Sequence, residues 1–209
     1  MLSFLKWLTE SHNYGKTHVF VPGKMRIPTQ GHKGLIDKGK SVAKEAGAKM
    51  TIGLSGKAQP LSIDQKKSMA EKLFQHPVET GSHVNGIVPA LQHFHKNGVK
   101  HLHIVAGSDR HEEYQKLVDR YNGKPDKKGN VPFHFKSVTI HKHGADRQEG
   151  EVNKHPTDMT DAEKARTVSA SRIEKLANAG DHAAVAAYYK GHDVDTKKLV
   201  KDIQDGSKK

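Results

Sequence analysis

The chain has 209 residues, enough for one sizeable hydrophobic core, and its lack of cysteine excludes disulfides, thiolate metal sites and thiol catalysis. Its 35 Lys and Arg residues outnumber 23 Asp and Glu residues, and the formal net charge of +12 favours polyanionic partners or a solvated basic surface. No apolar run approaches the ~18 residues that cross a bilayer.

The first part of the chain alternates between short apolar runs and segments with helical spacing. Residues 1–16 form a predicted amphipathic segment, and the apolar run at 18–21 is the first predicted strand. A helix is predicted over 35–46. The same alternation predicts strands at 50–54, 101–106 and 133–140, and helices at 63–74, 87–95 and 112–121. Strand followed by helix, repeated, predicts a parallel sheet with helices on both faces.

The remaining part of the chain is predicted to be mainly helical. A polar, aperiodic stretch at 141–166 is predicted to be a long loop, of the kind that often forms a lid or a binding loop. Helices are predicted at 171–178, 182–189 and 194–204. We therefore expect an N-terminal segment (1–16), one α/β domain (17–192) and a C-terminal helix with a tail (193–209).

A candidate phosphate-binding loop joins the first strand to the first helix. It runs from Gly23 and Lys24 to Thr29, Gly31 and His32. A loop at the carboxyl end of a parallel strand that leads into a helix is where such sheets bind anions, because the amides and the dipole of the first turn favour phosphate. Gly31 lets the backbone approach a ligand, while Thr29 and His32 supply donors. A capping Thr and a surface His are the alternative explanation.

The segment Thr29-Gln30-Gly31-His32 resembles the H/T-x-G-H signature of the nucleotidyltransferase superfamily, and the chain is similar to phage-encoded members of it. Three further segments match motifs of these proteins in the same order: Leu54-Ser55, Gly107-Ser108-Asp109-Arg110 and Ser169-Ala170-Ser171-Arg172. The resemblance implies an α/β fold with a Rossmann-like (HUP-type) parallel sheet, helices on both faces and a helical C-terminal section.

The resemblance also implies an activity, the transfer of AMP or CMP from ATP or CTP, with Mg²⁺, to a small phosphorylated acceptor and the release of pyrophosphate. The implied catalytic residues, which stabilise phosphate charge, are Thr29, His32 and Arg172. The implied nucleotide-binding residues are Gly23, Lys24, Gly31, Gly107, Asp109, Ser169 and Ser171. The implied substrate-binding residues are Ser55, Lys66 and Arg110. Helix capping by Asp109 or Ser169, and a surface salt bridge of Arg110, are alternative roles.

Two segments depart from the family pattern. Glu174 stands where the last motif normally has Arg, and Lys24-Met25-Arg26-Ile27 replaces Arg-Phe-Asn-Pro in the first loop. A carboxylate repels a triphosphate, so the fold is expected to survive this change better than the activity does. Arg172, Arg166 and Lys175 are the cations nearby in sequence that could take over the missing role.

A second hypothesis follows from these departures, namely a phage virion protein with a catalytically degenerate nucleotidyltransferase fold. The positive charge suits contact with DNA or the capsid. Residues 1–10 resemble leaders that direct phage proteins into the capsid, although a first helix packed on the domain is the alternative. The expected location is the host cytoplasm or the virion, without a membrane.

Sixteen histidines raise the question of a metal site. His-x-His pairs occur at 93/95, 101/103 and 141/143, and the two members of such a pair share one face when they lie in a strand. No cysteine or well-spaced carboxylate accompanies them, so packed or surface histidines explain the pairs better than structural zinc, and no metal site is predicted.

Overall fold

Five parallel strands form one sheet in the described part of the protein. The computed structural model describes residues 14–56, 59–144 and 154–208, and the leader-like segment 1–10 lies outside them. The strands are β1 (Thr17–Gly23), β2 (Lys49–Leu54), β3 (Val78–Glu79), β4 (His101–Gly107) and β5 (Ser137–His143). Their order is β3-β2-β1-β4-β5, and every neighbouring pair is parallel. The carboxyl ends of β1 and β4 therefore flank the switch point, where open parallel sheets bind ligands.

Helices cover both faces of this sheet. Within the described ranges they are α1 (Gln30–Glu45), α2 (Ile63–Phe74), α3 (Ile87–Lys96), α4 (Ser108–Tyr121), α5 (Asp161–Thr167), α6 (Ala170–Asn178), α7 (His182–Tyr188) and α8 (Thr196–Ser207). Short 3₁₀ turns lie at Ser82–Val84 and Pro156–Asp158. This architecture confirms the expected Rossmann-like α/β fold with its helical C-terminal section. No helix in the described part of the chain is long and apolar enough to cross a membrane.

Successive residues of the central strand pack into two different cores. Val19 and Val21 of β1 face a core built with α1, α2, α6, α7 and α8. Phe20, between them, faces a core built with α3 and α4. Because β1 is covered on both faces, its residues 19–21 form an unbroken apolar run, as expected for a central parallel strand. The helix predicted as a C-terminal addition, α8, contributes Leu199 and Val200 to the first of these cores.

The prediction of a long loop over 141–166 was wrong for the first and the last residues of this stretch. Strand β5 continues to His143, and α5 occupies the last part of the stretch. A capping box starts α5: the Thr160 N–H donates to Glu163 Oε2 at 2.7 Å, and the Glu163 N–H donates to Thr160 Oγ1 at 3.3 Å. This Thr-x-x-Glu pattern is a helix-start signal that is visible in the sequence.

Two smaller differences concern the strands. The strand predicted at 133–140 begins only at Ser137, because Phe133 and Phe135 turn into the core beside α3 and α4. The two-residue strand β3 was not predicted, since two residues are too short to show a period.

The C-terminal helices hold the turn that follows β1. The Tyr189 hydroxyl donates a 2.6 Å hydrogen bond to the carbonyl of Pro28, one residue before α1's N-cap. Tyr189 is buried, and burial raises the pKa of its hydroxyl, so the group stays a donor at all ordinary pH values. The position of the turn therefore depends on a residue that is 161 positions away in the sequence.

Helix α1 lies very close to the sheet at Gly39. A methyl group in place of the Gly39 hydrogen would lie 2.7 Å from Val21 Cγ2 and 2.8 Å from Met50 Sδ, which is closer than carbon atoms approach in real structures. The glycine thus sets the spacing between α1 and strands β1 and β2, and with it the height of the helix N-terminus above the sheet.

Removal of one hydroxyl should test the contact between Tyr189 and Pro28. We expect Tyr189→Phe to lower the free energy of unfolding by about 1–3 kcal/mol, because a buried carbonyl loses its donor. Urea denaturation provides the measurement. Tyr188→Phe is the matched control, since the buried Tyr188 hydroxyl has no hydrogen-bond partner among the described residues. Equal losses in the two variants would contradict the proposed importance of the bond.

Substitution of Gly39 should test the close packing of α1. Alanine favours a helix over glycine by roughly 1 kcal/mol, whereas overpacking costs about 1–3 kcal/mol, so we expect Gly39→Ala to destabilise the protein despite its better propensity. Ser41→Ala, at an exposed position of the same helix, is the control and should be neutral or stabilising. A stabilised Gly39→Ala variant in thermal denaturation would show that α1 does not lie this close.

Candidate functional site

The turn between β1 and α1 is pinned to the core by two apolar side chains. Met25 and Ile27 are both buried, and Met25 has a left-handed backbone with φ of 34°. The Met25 side chain folds back over Gly23, where an added methyl group would lie 2.5 Å from Met25 Cε. A side chain at position 23 would therefore displace the flexible side chain of Met25. Between the two buried residues, the side chain of Arg26 is 51% exposed and projects from a fixed backbone.

Thr29 and His32 form a hydrogen-bonded unit at the start of α1. Thr29 is the N-cap residue, and its backbone N–H donates to His32 Nδ1 at 3.0 Å. The Thr29 hydroxyl also lies 2.9 Å from Nδ1. Because Nδ1 accepts from the backbone, the hydrogen of the neutral ring must be on Nε2, which makes Nε2 a donor. Thr29 is 1% exposed, so its hydroxyl serves to orient His32.

Loops that follow β1 and β2 meet beside this turn. The Ser55 N–H donates to the carbonyl of Gly23 at 2.9 Å, and the Ser55 hydroxyl lies 3.4 Å from the same oxygen. The next N–H, that of Gly56, donates to Asn85 Oδ1 at 3.2 Å. Lys24 passes close to Gly56, with its carbonyl 3.6 Å from where a methyl group would be. The structure thus brings Gly23, Lys24 and Ser55 together with the turn.

The segment after β4 borders the switch point from the other side. Gly107 ends β4 and precedes α4, whereas Asp109 lies in the first turn of α4 with its side chain 80% exposed. Arg110 bonds Glu113 on the surface of α4 at 2.5 Å, and this carboxylate raises the pKa of the guanidinium. The surface salt bridge considered as an alternative role for Arg110 is therefore present.

Helix α6 lies on the same face of the sheet as α1, because Ile173 shares a core with the residues of α1. Ser169 caps α6, and its hydroxyl accepts from the Arg172 N–H at 3.1 Å. Ser171 is exposed in the first turn. The Arg172 guanidinium donates to the carbonyl of Lys154 and lies over the ring of Tyr188, 6.0 Å from its centre. Among the described residues, Arg172 contacts neither Thr29 nor His32.

Sequence reasoning missed the contact between Arg26 and Glu174. Arg26 Nη2 lies 2.8 Å from Glu174 Oε2 in an ion pair that joins the β1–α1 turn to α6. Both residues stand where the chain departs from the family pattern, which is the only sequence signal that could have linked them. The carboxylate that was expected to repel a triphosphate is thus neutralised. The side chain of Arg166, another candidate for this role, lies outside the described part of the structure.

Lys66 was predicted to contact substrate, but its side chain is fully buried in α2. Burial lowers the pKa of Lys66, and the positive charge of Arg26 lowers it further. Lys66 is therefore near enough to Arg26 for the two positive charges to interact.

Histidines of these pairs contact another histidine or a tyrosine. His103 Nδ1 lies 3.0 Å from His141 Nε2 with the two rings stacked, and His93 Nε2 lies 3.0 Å from the Tyr14 hydroxyl. In the described ranges, no group of three or more His, Asp or Glu side chains is arranged to hold a metal ion.

Comparison with known proteins adds no assignment: no protein-family model and no curated protein matches the chain.

Proposed function

We propose that the protein binds ATP or CTP with Mg²⁺ at the β1–α1 turn and transfers the nucleotidyl group to a small phosphorylated acceptor. The observation that carries this proposal is the arrangement of Thr29 and His32. A buried threonine orients an imidazole so that its Nε2–H is the donor, at the first turn of a 16-residue helix beside the switch point of the sheet.

Several sources of positive potential meet at this turn. The first N–H groups of α1 have no partners within the helix, and the helix dipole adds to their attraction for an anion. No acidic residue lies in the first turn of α1 to oppose this field. Arg26, Lys24 and the buried Lys66 add positive charge nearby. Such a site suits a triphosphate better than a neutral ligand.

The chemistry requires positioning and charge stabilisation more than proton transfer. An oxygen of the acceptor phosphate attacks the α-phosphorus, the bond from that phosphorus to the bridging oxygen breaks, and pyrophosphate leaves with the electron pair. The His32 Nε2–H and the amides of α1 would stabilise the charge that builds on the phosphate oxygens. Mg²⁺ would enter bound to the triphosphate, a usual arrangement for this ion.

A second function, association with DNA as a virion protein, is supported by the net charge of +12. Binding of this kind depends on phosphate neutralisation, so its affinity falls steeply as salt rises. It requires neither the Thr29–His32 unit nor Mg²⁺, and this difference allows the two functions to be distinguished.

Nucleotide binding by the unaltered protein and nucleotidyl transfer by the His32→Ala variant should distinguish the two functions. By calorimetric titration we expect the protein to bind ATP or CTP at micromolar concentration in the presence of Mg²⁺. Loss of one charge-stabilising donor should lower the rate of nucleotidyl transfer by about 10²–10³-fold. Pyrophosphate release provides the rate, with nicotinamide mononucleotide, phosphopantetheine, FMN, and sugar and polyol phosphates as acceptors.

His182→Ala, at an exposed position of α7, is the control for that experiment and should leave the rate unchanged. Absence of nucleotide binding by the unaltered protein, together with salt-sensitive DNA binding, would refute the transferase proposal in favour of the second function.

A further inference from the structure

The ion pair of Arg26 and Glu174 holds a guanidinium at the edge of the β1–α1 turn. Arg26 Nη2 bonds both oxygens of the carboxylate, at 2.8 Å to Oε2 and 3.1 Å to Oε1. The Glu174 side chain on α6 is only 21% exposed, whereas the Arg26 side chain is 51% exposed. The arginine side chain therefore reaches from the turn to a carboxylate that is mostly buried. The two residues are 148 positions apart, and no local turn or helix explains their contact.

This contact uses a single nitrogen of Arg26. A guanidinium carries five N–H donors on three nitrogens. Across residues 14–56, 59–144 and 154–208, the Nε and Nη1 atoms of Arg26 make no hydrogen bond. An arginine whose one nitrogen is fixed by a carboxylate can bind a second anion through its remaining donors, and phosphate suits their planar geometry.

The backbone that carries Arg26 is also fixed. Its two neighbours in sequence, Met25 and Ile27, are buried, and the carbonyl of Pro28 is held by Tyr189. Arg26 is three residues before Thr29, a separation that spans at most about 11 Å of chain. The guanidinium and the His32 imidazole therefore border the same short turn.

The charge around Arg26 favours a bound anion. Lys66 is fully buried, and its pKa is lowered by burial and by the nearby guanidinium. The positive charges of Lys66 and Arg26 both add to the potential at this edge of the turn, and a positive potential favours an anion.

We infer that Arg26 binds a phosphate group of the nucleotide and that Glu174 is the positioning residue that aims it. The inference rests on the proposed function, and it names the residues of the phosphate subsite. Helix α6 supplies the carboxylate that orients the guanidinium, while its own Arg172 is engaged with the Lys154 carbonyl and the Tyr188 ring.

Calorimetric titration with inorganic tripolyphosphate, and then with MgATP, tests the role of Arg26. We expect Arg26→Gln to weaken the binding of both by about tenfold, the effect of one charge-assisted hydrogen bond. Arg120→Gln is the matched control, because it removes the same charge from the far end of α4 and should not change the affinity. Arg26 is half exposed, so its loss should leave the fold intact, which thermal denaturation can verify.

A double-mutant cycle with Glu174→Gln tests the positioning role. Removal of the carboxylate changes the charge of the site in either background, and this effect cancels in the ratio of the affinities measured without and with the Arg26→Gln substitution. We expect Arg26→Gln to lower the affinity about tenfold when Glu174 is present and less than about threefold when it is replaced by Gln. An arginine that the carboxylate does not orient contributes less to phosphate binding.

The outcomes separate this inference from the proposed function. If the unaltered protein binds tripolyphosphate and MgATP, and Arg26→Gln binds them equally well, the inference is overturned while the function stands. A ratio that stays near tenfold without Glu174 would refute the positioning role alone. Failure of the unaltered protein to bind either compound would overturn both the inference and the proposed function.

Discussion

The hydrogen bond from Tyr189 to the carbonyl of Pro28 connects the candidate site to the rest of the fold. A carbonyl buried between a strand and a helix needs a donor, and here a side chain from the C-terminal helices provides it. The same helices supply Glu174 to Arg26, and α8 shares its core with α1. The C-terminal section is therefore part of the structure that shapes the β1–α1 turn, and the turn and these helices are expected to be ordered together.

Within the turn, the buried and the exposed residues have different proposed roles. Thr29 is inaccessible and acts through His32, because its backbone and hydroxyl determine which ring nitrogen carries the hydrogen. Arg26 is half exposed, and in the proposed function it acts through its own donors. In that proposal a buried group orients and an exposed group binds, so little rearrangement is left when an anion arrives, and such preorganisation strengthens electrostatic interactions with phosphate.

Arg26 and Glu174, two residues at which the chain differs from the motifs that it resembles, are in contact with each other. A carboxylate alone near a triphosphate would weaken binding, and an arginine alone on the loop would be free to swing. Paired at 2.8 Å, each compensates the other: Arg26 neutralises the charge of Glu174, and Glu174 restricts the motion of Arg26. The contact therefore makes both residues compatible with the proposed binding of a triphosphate.

Hydrophobic periodicity determined the alternation of strands and helices, including the bounds of α2 at Ile63–Phe74, because a strand buried on both faces and an amphipathic helix each leave a local pattern. Short motifs, rather than periodicity, located the β1–α1 turn and the capping serine of α6. Only the tertiary structure decided which side chains of α6 face the turn. Arg172 and Glu174 are separated by about 200° around the helix, and the burial of Ile173 between them sets the rotation that sends Glu174 to Arg26 and Arg172 to Tyr188. A contact across 148 residues leaves no periodic trace in a sequence, because it depends on how separate elements pack.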